Sequence, residues 1–522
     1  MSLFSAALHP NVGLGFLVLG ASLHDILTRI KAEPQRFPKI ELGYSDTNPV
    51  TKPVTVGLPA NGLRLRFDGP EQRLRLIEVL DFTKNRVTYQ DKDIAKSSST
   101  QGSSGSSSSP KAGESSGPAF KNIYHRLFGP TYAGEYIPPE RGSARGTYIL
   151  SYPGVSFSFP LLRASYSPRK DVVTLLSSSA SQTATSLAVF RGTSWASARD
   201  TLWTEVLPSI KTSPTFNKSK DVVPDEISLV KIHGGGRLQL FKNWTNTSVW
   251  INLGETSVQD LVADLGPPDA VYRKNDQRMY IHKNRTSSHS RSRSSGPDYK
   301  RPGSLSDTDH SSVPTGSDSS DSEAIEDETT HNISGDCFYN YFYLGFDILI
   351  STPQQPSRTP PSQSHLTADQ LPGANIIKNG NPNRLVATKV ILHANVPGSY
   401  PFNRHRRTRW EVSYLDKPGS GLVIGTETPF DDIEQHLREE WKSTYASPDD
   451  AKKRQRGMVL NRGWGDSPGS SCELLGGWED SSDGVPAKKL GGNEESTTTL
   501  YGFPGLVFEV LKNGYVSAVT VY

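Results

Sequence analysis

Two fragments of the sequence carry residues of the kind used in acyl-transfer chemistry. His233-Gly-Gly-Gly resembles an oxyanion-hole loop, and Gly465-Asp-Ser467-Pro-Gly469 fits the Gly-x-Ser-x-Gly turn that exposes a nucleophilic hydroxyl. A hydrolase of that design needs a histidine after the serine, and the last histidine is His436. Pro468 obstructs the helix that should follow the nucleophile, and no apolar strand precedes it. Both fragments therefore read as glycine-rich loops, and a serine hydrolase using Ser467 stands only as an alternative. No Gly-rich loop ends in Lys-Ser or Lys-Thr, and there is neither a dinucleotide fingerprint nor a His-Glu-x-x-His pair. No residue is assigned to catalysis, to a metal or to a cofactor.

The run Arg404-His405-Arg406-Arg407-Thr408-Arg409-Trp410 is more distinctive. It follows Asn395-Val396-Pro397-Gly398, which reads as a turn. Clustered cations beside an aromatic suit phosphate groups or an anionic membrane, so Arg404, Arg406, Arg407, Arg409 and Trp410 are the candidate lipid contacts. The alternative is a solvated hairpin end with Trp410 in the core.

The elements that must position these residues are set within 522 residues of which only 34% are hydrophobic. The apolar deficit falls in low-complexity stretches, which cannot bury enough surface to offset chain entropy. With 57 basic and 54 acidic residues, the charge is too balanced for a nucleic-acid binder. The short SHSRSRSS run at 288–295 does not change that reading. Cys337 and Cys472 are too few for a disulfide framework or a zinc site, which fits a reducing, cytoplasmic setting. The apolar segment Val12–Leu23 lacks a basic flank, and no apolar run is long enough to span a bilayer.

Two patterns recur. One is Gly followed shortly by Ser or Thr-x-x-Asp: Gly20–Ser22–Asp25, Gly254–Ser257–Asp260 and Gly425–Thr428–Asp431. The hydroxyl at each start can cap a helix, with the acid answering the cap residue's own N–H. Leu23, Ile26, Leu27 and Ile30 then form one helical face, as do Val258, Leu261, Val262 and Leu265; Phe430, Ile433 and Leu437 form the third stripe. The other pattern is Gly followed by strict alternation: GLRLRF (62–67), GVSFSF (154–159), GFDILI (345–350) and GLVFEV (505–510). Period two means half-buried strands, and Asn513-Gly514 is a hairpin signal.

The predicted fold class is α+β: degenerate repeats of a short capped helix plus antiparallel β-hairpins, with disordered insertions. The expected units are a helix-plus-hairpin unit at 11–90, a Ser-rich linker at 91–118 and a β-rich unit at 119–192. An uncertain insertion at 193–228 precedes a second capped-helix unit at 229–283 and a disordered Ser-rich insertion at 284–334. A third unit at 335–441 contains the polar loop 351–384; a disordered or loop insertion at 442–498 leads to a C-terminal hairpin at 499–522.

An ordered set of segments then resembles one family, the phagophore assembly factors, formerly an uncharacterised, Lin-10-like family. They are residues 62–82, LFGPTYAGEY (127–136), YILSYPGVSFSFP (148–160), 253–282, YNYFYLGFDILI (339–350), KVILHANVPGSYPFN (389–403) and FEVLKNGYVSAVTVY (508–522). The low-complexity insertions suggest a fungal-type expanded member. The resemblance implies a non-enzymatic cytoplasmic adaptor recruited to the phagophore assembly site. It implies work beside a β-propeller autophagy protein that engages phosphoinositide-containing membrane. The older family label implies the alternative, a Golgi or endosomal trafficking factor with direct anionic-lipid contact.

Overall fold

Each Gly-led alternating segment is the second strand of a hairpin. Gly62, Gly154, Gly345 and Gly505 sit in the turns with φ of 66°, 78°, 92° and 75°, where a Cβ is disfavoured. The alternate residues Leu63, Leu65 and Phe67, and likewise Phe346, Ile348 and Ile350, then point into buried cores. The computed structural model describes residues 3–95, 117–139, 144–177, 182–205, 207, 225–273, 335–353, 384–415, 423–461 and 497–522.

The first half opens with β1 (Phe4–His9), β2 (Gly13–Leu14), β3 (Leu17–Val18) and α1 (Leu23–Ala32). A four-strand run follows: β4 (Glu41–Gly43), β5 (Val54–Leu58), β6 (Leu63–Phe67) and β7 (Leu74–Val79). Next, β8 (Asn85–Tyr89) returns to lie parallel to β1, with β9 (Lys92–Asp93) beside it. After α2 (Phe120–Asn122) come β10 (Glu135–Ile137), β11 (Arg145–Tyr152), β12 (Val155–Leu162), α3 (Val172–Leu176) and β13 (Ser186–Val189). Pairing of β13 with β7 joins the two runs, last strand to last strand, into an eight-stranded sheet. The short helix α4 (Trp195–Thr201) ends this half.

The second half repeats the plan. It has β14 (Ile227–Ile232), β15 (Arg237–Lys242), β16 (Ser248–Asn252) and α5 (Val258–Leu265), then β17 (Ala270–Arg273), β18 (Cys337–Tyr341), β19 (Phe346–Ser351) and β20 (Val386–His393). The short β21 (Trp410–Val412) lies parallel to β14, as β8 does to β1. After α6 (Phe430–Glu440) and α7 (Pro448–Arg454) come β22 (Met458–Asn461), β23 (Thr497–Phe503), β24 (Leu506–Val510) and β25 (Val516–Val521). β25 pairs with β20, again last to last, giving the second eight-stranded sheet. Even the bulge recurs, between Arg66 and Phe67 against β7 and between Leu349 and Ile350 against β20. The α+β class and the hairpins thus stand, and the repeat is a tandem pair of large units. Register places Gly62 over Gly345, Arg66 over Leu349 and Glu78 over Ile391.

Two of the three predicted caps form. Ser22 Oγ accepts from Asp25 N at 3.1 Å, and Ser257 with Asp260 makes a reciprocal capping box. Leu23, Ile26, Leu27 and Ile30 are buried under α1, whereas on α5 Val262 is turned outward. Thr428 does not cap α6: its hydroxyl accepts from Gly425 N, and the first helical N–H, of Phe430, is given to Gly514 O of the C-terminal hairpin. The Pro that follows the threonine is itself the residue at the helix boundary, which moves the hydroxyl out of reach. Within the polar stretch read as an insertion from 442, α7 and β22 are present. Ser447 caps α7 by accepting from Asp450 N, with Pro448 in the first turn, a start signal that composition alone conceals.

The two halves have separate apolar cores. A small cluster of Val50, Ala394, Val396 and Tyr515 joins them. Another, of Leu76, Phe190, Ala198 and Leu202, seats α4 on the outside of the first sheet. Among the described residues no helix is long and apolar enough to cross a membrane. The Ser-rich insertion 284–334, Ser467 and Cys472 lie outside the described residues.

Candidate functional site: an arginine clamp between the halves

The two halves differ where the last strand of the first run returns to the small sheet. In the first half residues 80–84 make that connection; in the second, residues 394–409 do. The longer connection contains the basic run, and it reaches back onto the first half.

Arg406 is its centre. Its side chain is 4% exposed. One guanidinium nitrogen donates to Asp25 Oδ2 of α1 at 2.9 Å and to Glu226 Oε1, beside β14, at 2.6 Å. Arg73 of the first half meets the other Glu226 oxygen at 2.7 Å. The Tyr343 ring lies 4.6 Å beneath the Arg406 guanidinium, which adds a cation–π contact. Arg407 donates Nε to Pro70 O of the first half at 2.6 Å and approaches Glu427 at 3.4 Å. Arg409 grips Glu427 at 2.8 Å and faces Glu71 of the first half at 3.8 Å.

Burial alone would raise the Asp25 carboxyl, but Arg406 and hydrogen bonds from His24 and Ser22 outweigh it and hold the group well below the carboxylate range. Glu427 is lowered in the same way against its burial, by Arg409 and Arg407. Burial pulls the Arg407 guanidinium down to about 10, with Glu427 opposing. A buried charge stripped of its partner is costly, so these groups hold together only as a set.

The expected compact tip of four exposed cations is therefore not formed. Arg406 and Arg407 are buried because four acids and the Pro70 and Ala394 carbonyls, drawn from both halves, converge on the run. Trp410 lies in β21, 1% exposed, among the apolar residues of the second core, as the alternative reading expected. Arg404 and Arg409 remain half-buried, with Arg404 6.0 Å above the Phe342 ring.

A second buried group supports the same segment. His393 Nε2 and His405 Nε2 each lie 2.9 Å from an oxygen of Asp347, whose Oδ1 also accepts from Asn340 at 2.7 Å. The three ligand-type residues could suggest a metal centre. The imidazoles, however, are stacked at 3.8 Å with planes 13° apart. Each nitrogen lone pair lies in its ring plane, and two parallel planes so separated cannot both contain one ion. The arrangement instead suits one carboxylate accepting two ring N–H groups. Burial, and next the neighbouring His393, push His405 down to about 3 despite Asp347. Burial would raise Asp347, yet the two histidine hydrogen bonds hold it low.

Of the hydrolase-like fragments, His233-Gly-Gly-Gly is the β14–β15 hairpin turn, with all three glycines at positive φ and His233 against Trp250. Sequence reasoning read Asp25 only as a helix-start acid and Asn395 only as part of a turn, and it assigned no site role to Gln72, Glu226 or Asp347. Each is an ordinary polar residue with at least one partner outside its own element. The one available signal was Asp347, a lone carboxylate inside an alternating strand.

The sequence pattern of the family described as phagosome assembly factor 1 matches residues 13–299 and 372–522, covering most of both halves and the clamp. The chain belongs to this family. A PHAF1 protein of Arabidopsis thaliana is 23% identical over 99% of this chain and 92% of its own length. PHAF1 proteins of Drosophila melanogaster and Caenorhabditis elegans are each 22% identical over 98% of this chain and 93% of theirs. No solved structure matches.

Proposed function

We propose that the chain is a non-enzymatic adaptor of autophagy that acts where the phagophore assembles, in complex with a β-propeller partner. Membership of a family described as an assembly factor, over both halves of the fold, carries this reading. The construction agrees with it: a buried clamp joins two large sheets into a platform with fixed spacing, which suits a protein that positions others. Membrane contact by Arg404 and Arg409 is the residual lipid role, and it needs a partner to supply the affinity.

The test is replacement of the endogenous chain by wild type or by Arg406→Gln, scored for autophagic flux and for the proteins that co-purify. The adaptor reading expects flux and a propeller protein with wild type, and loss of both with the variant. Normal flux after removal of the chain would overturn it. A Golgi sorting defect with normal flux would favour the trafficking alternative.

A further inference from the structure

The internal repeat lets one half serve as a control for the other. On the outer face of the first eight-stranded sheet, one row of paired positions reads Gly43, Thr55, Arg66. The same row in the second sheet reads Tyr272, Phe338, Leu349. On the neighbouring row Glu78 and Ser156 of the first sheet become Ile391 and Val507. In the first half, Arg66 and Glu78 answer each other at 3.2 Å. In the second, the equivalent pair offers hydrocarbon to solvent.

The outward-facing apolar residues Phe338, Leu349, Ile391 and Val507 are all partly exposed, and Tyr272 is 40% exposed. Among the described residues none belongs to a core cluster. At the middle of the patch Lys389 is exposed, its amine 6.0 Å above the Tyr522 ring, and among the described residues no carboxylate pairs with it. The first half shows what such a face accepts. There the helix α4 and the residue that ends it lay Ala198 and Leu202 on Leu76 and Phe190, the positions that register with Lys389 and Tyr522.

We propose that the outer face of the second eight-stranded sheet docks a helix of a partner protein, apolar along one stripe and acidic where it crosses Lys389, in the place that α4 fills on the first sheet. The apolar stripe covers Leu349 and Ile391, flanked by Phe338 and Val507. The acid supplies a carboxylate that no described residue gives Lys389. This deepens the adaptor reading and rests on it for the existence of a partner.

The test uses the full chain and a synthetic probe: a stapled, fluorescein-labelled helix with leucines at i, i+4 and i+7 and a glutamate beside them, followed by anisotropy. Saturable binding is expected, reduced about tenfold by Lys389→Glu and restored when the probe's glutamate becomes lysine, as for a close charge pair at an interface. Leu349→Asp and Ile391→Asp should abolish it; Arg66→Asp, the register equivalent, should not. No saturable binding, binding unchanged by Lys389→Glu, or equal loss with Arg66→Asp would overturn the proposal. Lys389 is exposed, so its charge swap decides the matter even where an aspartate variant fails to fold. Self-association, or binding to phosphatidylserine vesicles, that Ile391→Asp abolishes would assign the face to a second copy or to a membrane and overturn it likewise. Probe binding can fail while cellular rescue by the wild type stands, so the two readings are told apart.

Discussion

Gln72 and Asn395, one from each half of the chain, hold each other by two hydrogen bonds: Gln72 Nε2 donates to Asn395 O at 2.8 Å, and Asn395 Nδ2 donates to Gln72 Oε1 at 2.9 Å. Both are buried, and both have left-handed backbone, with φ of 51° and 47°. Asn395 Oδ1 also accepts from Asn403 N at 2.7 Å, so one side chain orders the clamp and ties it to the first half.

Asn395→Ala should cost about 1–3 kcal/mol, because it strands Gln72 Oε1 and the Asn403 N–H in a buried site, while Gln72 Nε2 keeps the backbone carbonyl of residue 395. Gln72→Ala should cost a similar amount, and the double variant less than the sum, since the bond between the two side chains can be lost only once. Urea denaturation of the four proteins in the cycle measures the coupling. Additive losses would show that the two residues act separately.

Arg406→Gln should destabilise by about 3–5 kcal/mol, because Asp25 loses its arginine and the buried Glu226 is left with Arg73 alone. Arg404→Gln, on a half-buried side chain of the same run, should cost clearly less. Thermal melts of the two variants separate a clamp from a surface cluster, in which both changes would be mild.

Acid should weaken the fold earlier than carboxylate titration alone allows. His405 in the folded chain resists protonation down to about 3, while an unfolded histidine takes a proton near 6.5. Its contribution is therefore complete above pH 6.5 and falls as pH drops from there toward 3, by at most about 1.4 kcal/mol per unit. The contributions of Asp25, Asp347 and Glu427, all lowered in the folded state, hold until pH approaches their ordinary values near 4. Melting temperatures at pH 7.5, 6.5, 5.5 and 4.5 should decline from the first step below 6.5. His405→Gln should flatten the profile above pH 4.5, and an identical profile in that variant would remove His405 from the account.

Ser22→Ala and Ser257→Ala should each cost about 0.5–2 kcal/mol as lost helix caps. Gly345→Ala should cost more. Its φ is 92°, and a Cβ there would lie 2.4 Å from Arg406 O and 2.1 Å from Thr408 Oγ1. Equal mild effects at all three positions, read from denaturation midpoints, would mean that the clamp yields easily to Gly345.

What the sequence makes legible is what is local. The strand alternation after Gly62 or Gly345 and the Ser22 and Ser257 caps each depend on residues a few positions apart, and they appear as read. The pairing of β13 with β7 and of β25 with β20 joins segments that have no sequence signal for each other, so the two-unit repeat emerges only from topology. The clamp was hidden for the same reason. Arg406 reads as surface because basic runs usually are, and its burial depends on Asp25, 381 residues earlier in the chain, and on Glu226.

Hydrogen–deuterium exchange on the full chain at pH 7.5 tests the clamp most directly. Asn403 N donates to Asn395 Oδ1, Arg406 N to Phe342 O and Thr408 N to His393 O. A buried segment so bonded should exchange as slowly as β19 and β20, and Arg406→Gln should speed its exchange while the two sheets stay protected. Exchange of residues 394–409 at the rate of a solvated loop in the wild type would contradict the account and return the arginines to the surface.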